Sequence, residues 1–163
     1  LSKMKAGSWK YDIAMPGYKC NMTDINAAIG LAQLRRYDSE ILAKKDLIDG
    51  WYKKYLGDIK GLILPEFRTE DKVSSRHLYA LRLKGITEKK RNEVIQKLAE
   101  KGIATNVHFQ PLPLLTAYKN LGFKIKDYPK AYAMYSTEIS MPFHDFVSEE
   151  DVIYITKCLK EVL

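Results

Sequence analysis

Apolar residues recur at helical spacing from Ile25 onward: Ile25, Ala28, Ile29, Ala32 and Leu34 are followed by Ile41, Ile48, Trp51, Tyr52 and Tyr55. The run begins behind Thr23, whose hydroxyl can cap a helix, with Asp24 in the first turn, where the helix dipole favours negative charge. It ends near Gly57, a helix stop. The pattern predicts one long helix or two in series, a length that suits a spine between two domains. Residues 61–75 hold Pro65 and mixed charge over 66–72, and predict a short strand running into a loop. Residues 77–83, HLYALRL, predict a strand. Thr87 caps the next predicted helix, with Val94, Ile95, Leu98 and Ala99 as its stripe and Gly102 just past its end.

A second strand is predicted over 103–109 and is broken by the prolines at 111 and 113. Residues 114–121 predict a short helix or turn stopped by Gly122, and Asp127 with Pro129 opens another helix through Tyr135. Residues 139–142 predict a short strand ending in proline. Ser148 and Asp151 have the spacing of a capping box, with Asp in place of Glu, before a last helix with the stripe Val152, Ile155, Leu159 and Val162. This order predicts an α+β fold with helices packed on a small, mainly antiparallel sheet.

The 163 residues make one domain's worth of chain, able to bury roughly 70% of the surface exposed when unfolded. No uninterrupted apolar run is long enough to span a bilayer. The opening residues 1–9 are polar and basic with no apolar segment behind them, unlike a signal peptide. The sequence starts at Leu1, and residues 1–16 carry no helical or strand period, so it reads as a piece of something longer. Cys20 and Cys158 have no CxxC partner, which points to a reduced, cytoplasmic chain without a zinc site.

The 27 Lys and Arg against 20 Asp and Glu leave a net charge of +7. The basic clusters at 35–36, 44–45, 53–54 and 89–91 are dispersed among acidic residues, as on solvated helix faces. Aromatic residues do not interleave with them on one strand face, so a nucleic-acid partner is not expected. A surface of this sign equally suits anionic small molecules.

Motifs that cradle phosphate or drive hydrolysis, GxGxxG, the P-loop, GxSxG and HExxH, are absent. Residues 17–24, GYKCNMTD, place a glycine turn, the Lys19 ammonium and the Asn21 amide just before a helix start, an arrangement suited to a phosphate. The same residues also make an ordinary capped helix entry. His108 closes the predicted strand before the proline break, His77 alternates with Tyr79 and is expected to pack, and His144 follows Pro142 in a loop facing a ligand or solvent. No nucleophile, base and orienting acid can be assembled from these residues.

The stretch GYKCNMTDINAAIGLAQL at 17–34 resembles the central signature of the DegT/DnrJ/StrS family of pyridoxal-phosphate-dependent sugar aminotransferases, and of its nucleotide-sugar members in particular, such as those forming UDP-4-amino-4-deoxy-arabinose. HLYALRL, KGIATNVHFQPLPLLTAYKNLGF and ISMPFHDFVSEEDV match further family segments in order, so the resemblance covers most of the chain.

It implies a type I, aspartate-aminotransferase-like fold working as a homodimer. Residues 1–22 would end the large cofactor domain, 23–56 would form the linking helix and 57–163 the C-terminal small domain. The family's Schiff-base lysine, the acidic partner of the pyridine nitrogen and the stacking residues all lie upstream of the Gly-Tyr-Lys segment, so this chain alone is expected to be inactive.

The family's asparagine that reaches the cofactor phosphate of the other subunit corresponds to Asn21. Many relatives place it two residues earlier, where this chain has Lys19, so either residue can take that role. His108 matches a family histidine near the sugar-nucleotide entrance, and His144 is the second substrate-side candidate. Two departures touch sugar binding: Cys20 replaces an aromatic residue, and Leu115 stands where relatives often carry histidine.

The implied activity is transfer of an amino group, from glutamate, to a nucleotide-linked keto-sugar for surface polysaccharide or lipopolysaccharide synthesis. The implied partners are the nucleotide-sugar, the amino-acid donor and a second subunit, with no membrane and no metal. Two alternatives stay open: a dehydratase of the same fold, in which histidine replaces the lysine, and a stand-alone basic binding module. Packing on a large domain and a dimer mate would leave Trp9, Ile13 and Ile29 exposed in this chain, and self-association is expected.

Overall fold

A computed structural model describes the backbone of residues 2–3 and 11–12, and residues 18 and 20–163 in full. Lys19, Trp9 and Ile13 lie outside the described residues. The chain forms two units, Leu1–Arg36 and Tyr37–Leu163.

In the first unit, β1 (Ser2–Lys3) pairs antiparallel with β2 (Tyr11–Asp12). Helix α1 (Asp24–Arg36) follows. Thr23 caps it as expected, its Oγ1 accepting from the Asn26 amide at 3.3 Å and its carbonyl accepting from the Ala27 amide at 2.9 Å. No residue of α1 is buried. Ile25, Ile29 and Leu34 are 75%, 58% and 69% exposed.

The second unit opens with a π-helical segment, Tyr37–Leu42, and then α2 (Ala43–Leu56). The predicted helical run over 23–56 is thus built in three pieces. Ile48, Tyr52 and Leu56, spaced four apart, form the fully buried stripe of α2. Gly57 ends the helix without a left-handed turn: its φ is −57°, and its amide still bonds the Lys53 carbonyl.

The sheet has strand order β3 (Leu62–Ile63), β4 (Tyr79–Leu83), β5 (Glu138–Met141), all neighbours antiparallel. Tyr79 stands opposite Met141 and Leu81 opposite Ile139. Since side chains alternate across a strand, these residues and Leu83 share one face. They join a single core with α2, with Val94 and Leu98 of α3 (Glu88–Glu100), and with Val152, Ile155, Leu159 and Val162 of α6 (Glu149–Val162). The stripe read from the sequence for α6 is buried throughout; of the α3 stripe Val94 and Leu98 are buried and Ile95 is half-buried, while Ala99 is exposed and Arg91 takes the remaining place in the core. The architecture is the expected α+β arrangement.

Local signals also hold. The Thr87 hydroxyl accepts from the Lys90 amide at 3.3 Å, and Gly102 adopts φ +75° just past α3, a conformation that costs a residue with a Cβ. The capping box at α6 is complete: Ser148 Oγ accepts from the Asp151 amide at 3.1 Å, and the Ser148 amide donates to the Asp151 carboxylate at 2.9 Å. Between α3 and β5 lie α4 (Thr116–Asn120) and α5 (Pro129–Tyr135).

Two expected strands come out differently. Residues 103–109 do not form a strand, and one residue, Asn106, bridges to Ser140. Its side-chain oxygen accepts from the Val107 amide at 2.8 Å, a local bond that competes with the ladder, and the prolines at 111 and 113 end any extension. The strand expected from residue 77 begins at Tyr79. Arg76 sits at φ +55° and turns the chain there, so His77 is exposed rather than packed. Among the described residues, no helix is long and apolar enough to cross a membrane.

Candidate functional site

The face of the sheet opposite the core is polar. In β4 and β5 the register pairs Ala80 with Ser140 and Arg82 with Glu138. Glu138 and Ser140 are nonetheless 6% and 5% exposed, because the segment carrying Asn106 and His108 runs beside β5 and covers them. Two backbone bonds hold that segment: the Asn106 amide to the Ser140 carbonyl at 3.1 Å, and the Ser140 amide to the Asn106 carbonyl at 2.8 Å.

This pairing brings His108 against Ser140, with Nδ1 2.8 Å from Oγ. The Ser140 hydroxyl donates to the Glu138 carboxylate, and the other oxygen of that carboxylate accepts from the His108 amide at 3.0 Å. A buried carboxylate is costly unless its oxygens are satisfied, and here each oxygen has a donor.

Arg91, 1% exposed on α3, closes the site from below. Its Nη1 donates to the carbonyls of Glu138 at 2.8 Å and Tyr135 at 2.9 Å, and its guanidinium lies 4.9 Å from the Tyr135 ring. One guanidinium therefore joins the end of α5 to the start of β5. A second grip fixes α5: the Tyr132 and Tyr135 hydroxyls donate to the two oxygens of Glu88, each at 2.8 Å. The bond to Glu88 raises the Tyr132 phenol above its ordinary value, and burial followed by Glu88 raises that of Tyr135.

Between β4, α5 and the His108 segment lies an open cleft of about 530 Å³ lined by Arg82, His108, Gln110, Met134, Tyr135 and Glu138, among others. A mostly apolar wall with a few convergent polar heads suits binding and orienting a small molecule. It holds no nucleophile activated by a base.

His144 is exposed and lines a separate cavity of about 480 Å³ with Pro142, Asp151 and Tyr154. The fold thus does not bring His108 and His144 into one pocket. There the Ser148 amide and hydroxyl, with a smaller contribution from His144, hold the Asp151 carboxyl below its ordinary range.

Asn21 is exposed just before the α1 cap, beside exposed Cys20. An amide donor at a helix start fits a phosphate, while the Asp24 carboxylate in the same first turn opposes it. Leu115 is 38% exposed, next to the start of α4. Among the described residues, no group of three or more His, Cys, Asp or Glu is placed to hold a metal.

The sequence reading missed Arg82, Arg91, Glu138 and Ser140. The available signal was a glutamate and a serine at alternate positions of an apolar strand, which marks one face as something other than core.

Residues 2–160 match the DegT/DnrJ/EryC1/StrS aminotransferase family. The spore coat polysaccharide biosynthesis protein SpsC of Bacillus subtilis is 36% identical over 163 residues, covering 96% of this chain and 41% of SpsC. GDP-perosamine synthase of Caulobacter vibrioides is 30% identical over 157 residues, covering 94% of this chain and 41% of that protein. The chain therefore spans about two fifths of the length of these relatives. Among solved structures, Spr1654 of Streptococcus pneumoniae in its PMP form superposes with a TM-score of 0.85 at 50% identity, over 98% of this chain and 39% of Spr1654, and the same protein is also known in a PLP form. The helices and three-stranded sheet are thus part of a type I, aspartate-aminotransferase-like fold. With the match running through nearly every residue that builds the cleft and the capped helices, the chain belongs to the DegT/DnrJ/EryC1/StrS aminotransferase family.

Proposed function

We propose that the protein carrying this chain transfers an amino group, from glutamate, to a nucleotide-linked keto-sugar used in surface polysaccharide or lipopolysaccharide synthesis. The observation that carries this reading is the likeness, over nearly the whole chain, to proteins named for spore coat polysaccharide biosynthesis and for GDP-perosamine synthesis. Pyridoxal phosphate, when bound, supplies the electron sink that lets an amino group move between carbon skeletons.

In this reading residues 1–22 end the large cofactor domain, 23–56 link, and 57–163 form the small domain. Asn21 or Lys19 holds the cofactor phosphate of the other subunit, by an amide or ammonium beside the start of α1. His108 contacts the substrate from the 530 Å³ cleft and His144 from its own cavity, while Arg82 offers the cleft a positive charge for an anionic ligand. The homodimer covers α1, whose apolar residues are exposed on several sides of the helix. The protein works in the cytoplasm, where nucleotide-sugars and glutamate are supplied.

The test is to incubate the whole protein with pyridoxal phosphate, glutamate and a panel of nucleoside-diphosphate 4-keto-6-deoxy sugars. Formation of 2-oxoglutarate in step with an amino sugar, seen by mass spectrometry, is the expected result. Cofactor-loaded protein that yields no 2-oxoglutarate with any sugar would overturn the proposal.

A further inference from the structure

We infer that Glu138 and Ser140 fix His108 as the tautomer protonated on Nδ1, so that Nε2 offers a lone pair to the cleft and recognises a hydrogen-bond donor of the ligand, such as a sugar hydroxyl, rather than an anionic oxygen. The recognition half of this inference rests on the proposed reading of the cleft as a substrate site, while the tautomer half does not.

The assignment follows from counting protons. The Glu138 carboxylate accepts the His108 amide on Oε2 and shares a hydrogen bond with Ser140 on Oε1. A carboxylate has no proton to give, so the shared one is the serine's. A hydroxyl has only one proton. Toward His108 Nδ1, 2.8 Å away, Ser140 can therefore only accept, and Nδ1 must donate.

The other side of the ring gives the same answer independently. The Val107 amide donates to Asn106 Oδ1 at 2.8 Å, which settles which end of that amide is oxygen. The Asn106 nitrogen is then the atom 3.5 Å from His108 Nε2, a donor turned toward a ring nitrogen that carries no proton, at a distance so long that a ligand donor can displace it from the one lone pair. A bond at one imidazole nitrogen sets the state of the other. Glu138 and Ser140 are in this sense positioning residues that act through His108.

Three further groups border the site: Arg82 from β4, Arg91 from α3 and Tyr135 from α5. Arg91 is occupied by the carbonyls of Glu138 and Tyr135. Arg82 is the cation left to meet an anionic part of the same ligand, which divides the labour: arginine for charge, histidine for a hydroxyl.

The test is a long-range ¹H–¹⁵N correlation on the protein labelled with ¹⁵N-histidine, at about pH 8, above the ordinary histidine range. His108 is identified by the signals lost in His108→Gln. The expected spectrum shows a protonated Nδ1 and an unprotonated Nε2. Glu138→Met removes the acceptor of the serine proton, freeing it to turn to Nδ1, and is expected to shift the ring toward the Nε2-protonated form, as is Ser140→Ala. A wild-type ring protonated on Nε2, or a tautomer unmoved in both variants, would overturn the assignment without reference to activity.

The recognition half is read from the KM for the nucleotide-sugar. His108→Gln keeps an acceptor but loses the grip on Ser140 and is expected to raise KM less than His108→Lys, which offers only donors and is expected to raise it about tenfold or more. An unchanged KM in His108→Lys would sink this half, and a wild-type protein that binds no nucleotide-sugar would instead sink the proposed function.

Discussion

Arg82 and Glu138 stand directly opposite each other on β4 and β5, yet they form no ion pair. The Glu138 carboxylate is taken by the Ser140 hydroxyl and the His108 amide, and Arg82 Nη1 lies instead 3.1 Å from the Met134 sulfur. A thioether is a weak acceptor, so the guanidinium keeps most of its hydrogen-bonding capacity for a ligand in the cleft. Arg82→Gln is therefore expected to weaken nucleotide-sugar binding by about 1.5–3 kcal/mol, the worth of hydrogen bonds to a charged group. The melting temperature should change little, since Arg82 carries no packed core surface. Calorimetric titration beside thermal unfolding checks both parts, and a large loss of stability with intact affinity would contradict them.

Arg91 is the opposite case, an arginine that belongs to the core. It is 1% exposed and serves two carbonyls from one nitrogen, the buried one of Glu138 and the partly buried one of Tyr135. Arg91→Met keeps much of the aliphatic volume but strands both carbonyls, at a cost of roughly 2–4 kcal/mol. Urea unfolding measures this directly. Arg91→Lys, a point charge without the fork, should fall between the two proteins. A variant as stable as wild type would mean that water takes over the carbonyls.

Much of the fold was readable because its signals are local or periodic. Thr87 and Ser148 cap helices where their spacing said they would, the stripe of α6 is buried throughout, and Val94 and Leu98 of the α3 stripe are buried while Ala99 is exposed. The cleft was less readable, because its construction is long-range. His108 stood out as a histidine before prolines, but its partners Glu138 and Ser140 lie 30 and 32 residues on. Starting the last strand at residue 139 rather than at Glu138 hid the alternation that marks its polar face. Arg91 was counted among solvated helix charges, since the basic run at 89–91 has no feature that separates the buried member from its neighbours. The strand expected over 103–109 failed for a physical reason: Asn106 spends its side chain on the adjacent amide, and only one residue bridges to β5.

Helix α1 leads to a prediction about assembly. None of its residues is buried, although Ile25 and Ile29 lie one turn apart and are 75% and 58% exposed. A helix with bare apolar residues on several sides is stable in water only when something covers it. The double variant Ile25→Glu/Ile29→Glu is expected to shift the protein from self-associated to monomeric species in sedimentation velocity, with little loss of helix content by circular dichroism. A wild-type protein that sediments as a monomer at every concentration would refute the assembly through α1.

The start of α6 ties the stability of the fold to pH. The Ser148 amide and hydroxyl hold the Asp151 carboxyl below its ordinary range, so folding favours the ionised form. The sign follows from linkage: the unfolded chain binds the proton more readily, so stability rises with pH through this range. The contribution is fully present above the ordinary aspartate value of about 3.9 and is lost as pH falls through the lower folded value. Glu149 acts with the same sign, because hydrogen bonds from Tyr55 and Lys54 hold its carboxyl down. Asp151→Asn removes the charge and keeps one acceptor. Because Asp151 is exposed and screened by solvent, the variant should be less stable than wild type by no more than about 1 kcal/mol at neutral pH. That difference should begin to shrink as the pH is lowered below the ordinary aspartate value of about 3.9 and disappear below the lower folded value, where wild-type Asp151 is protonated as well. Ser148→Ala should cost about 1 kcal/mol and keep part of that cost in acid, since the bond from the Asp151 amide to the Ser148 hydroxyl needs no charge. Urea unfolding of the three proteins across pH separates the two contributions. A gap between Asp151→Asn and wild type that stays constant down to acid would show that the carboxylate charge is not what the cap uses.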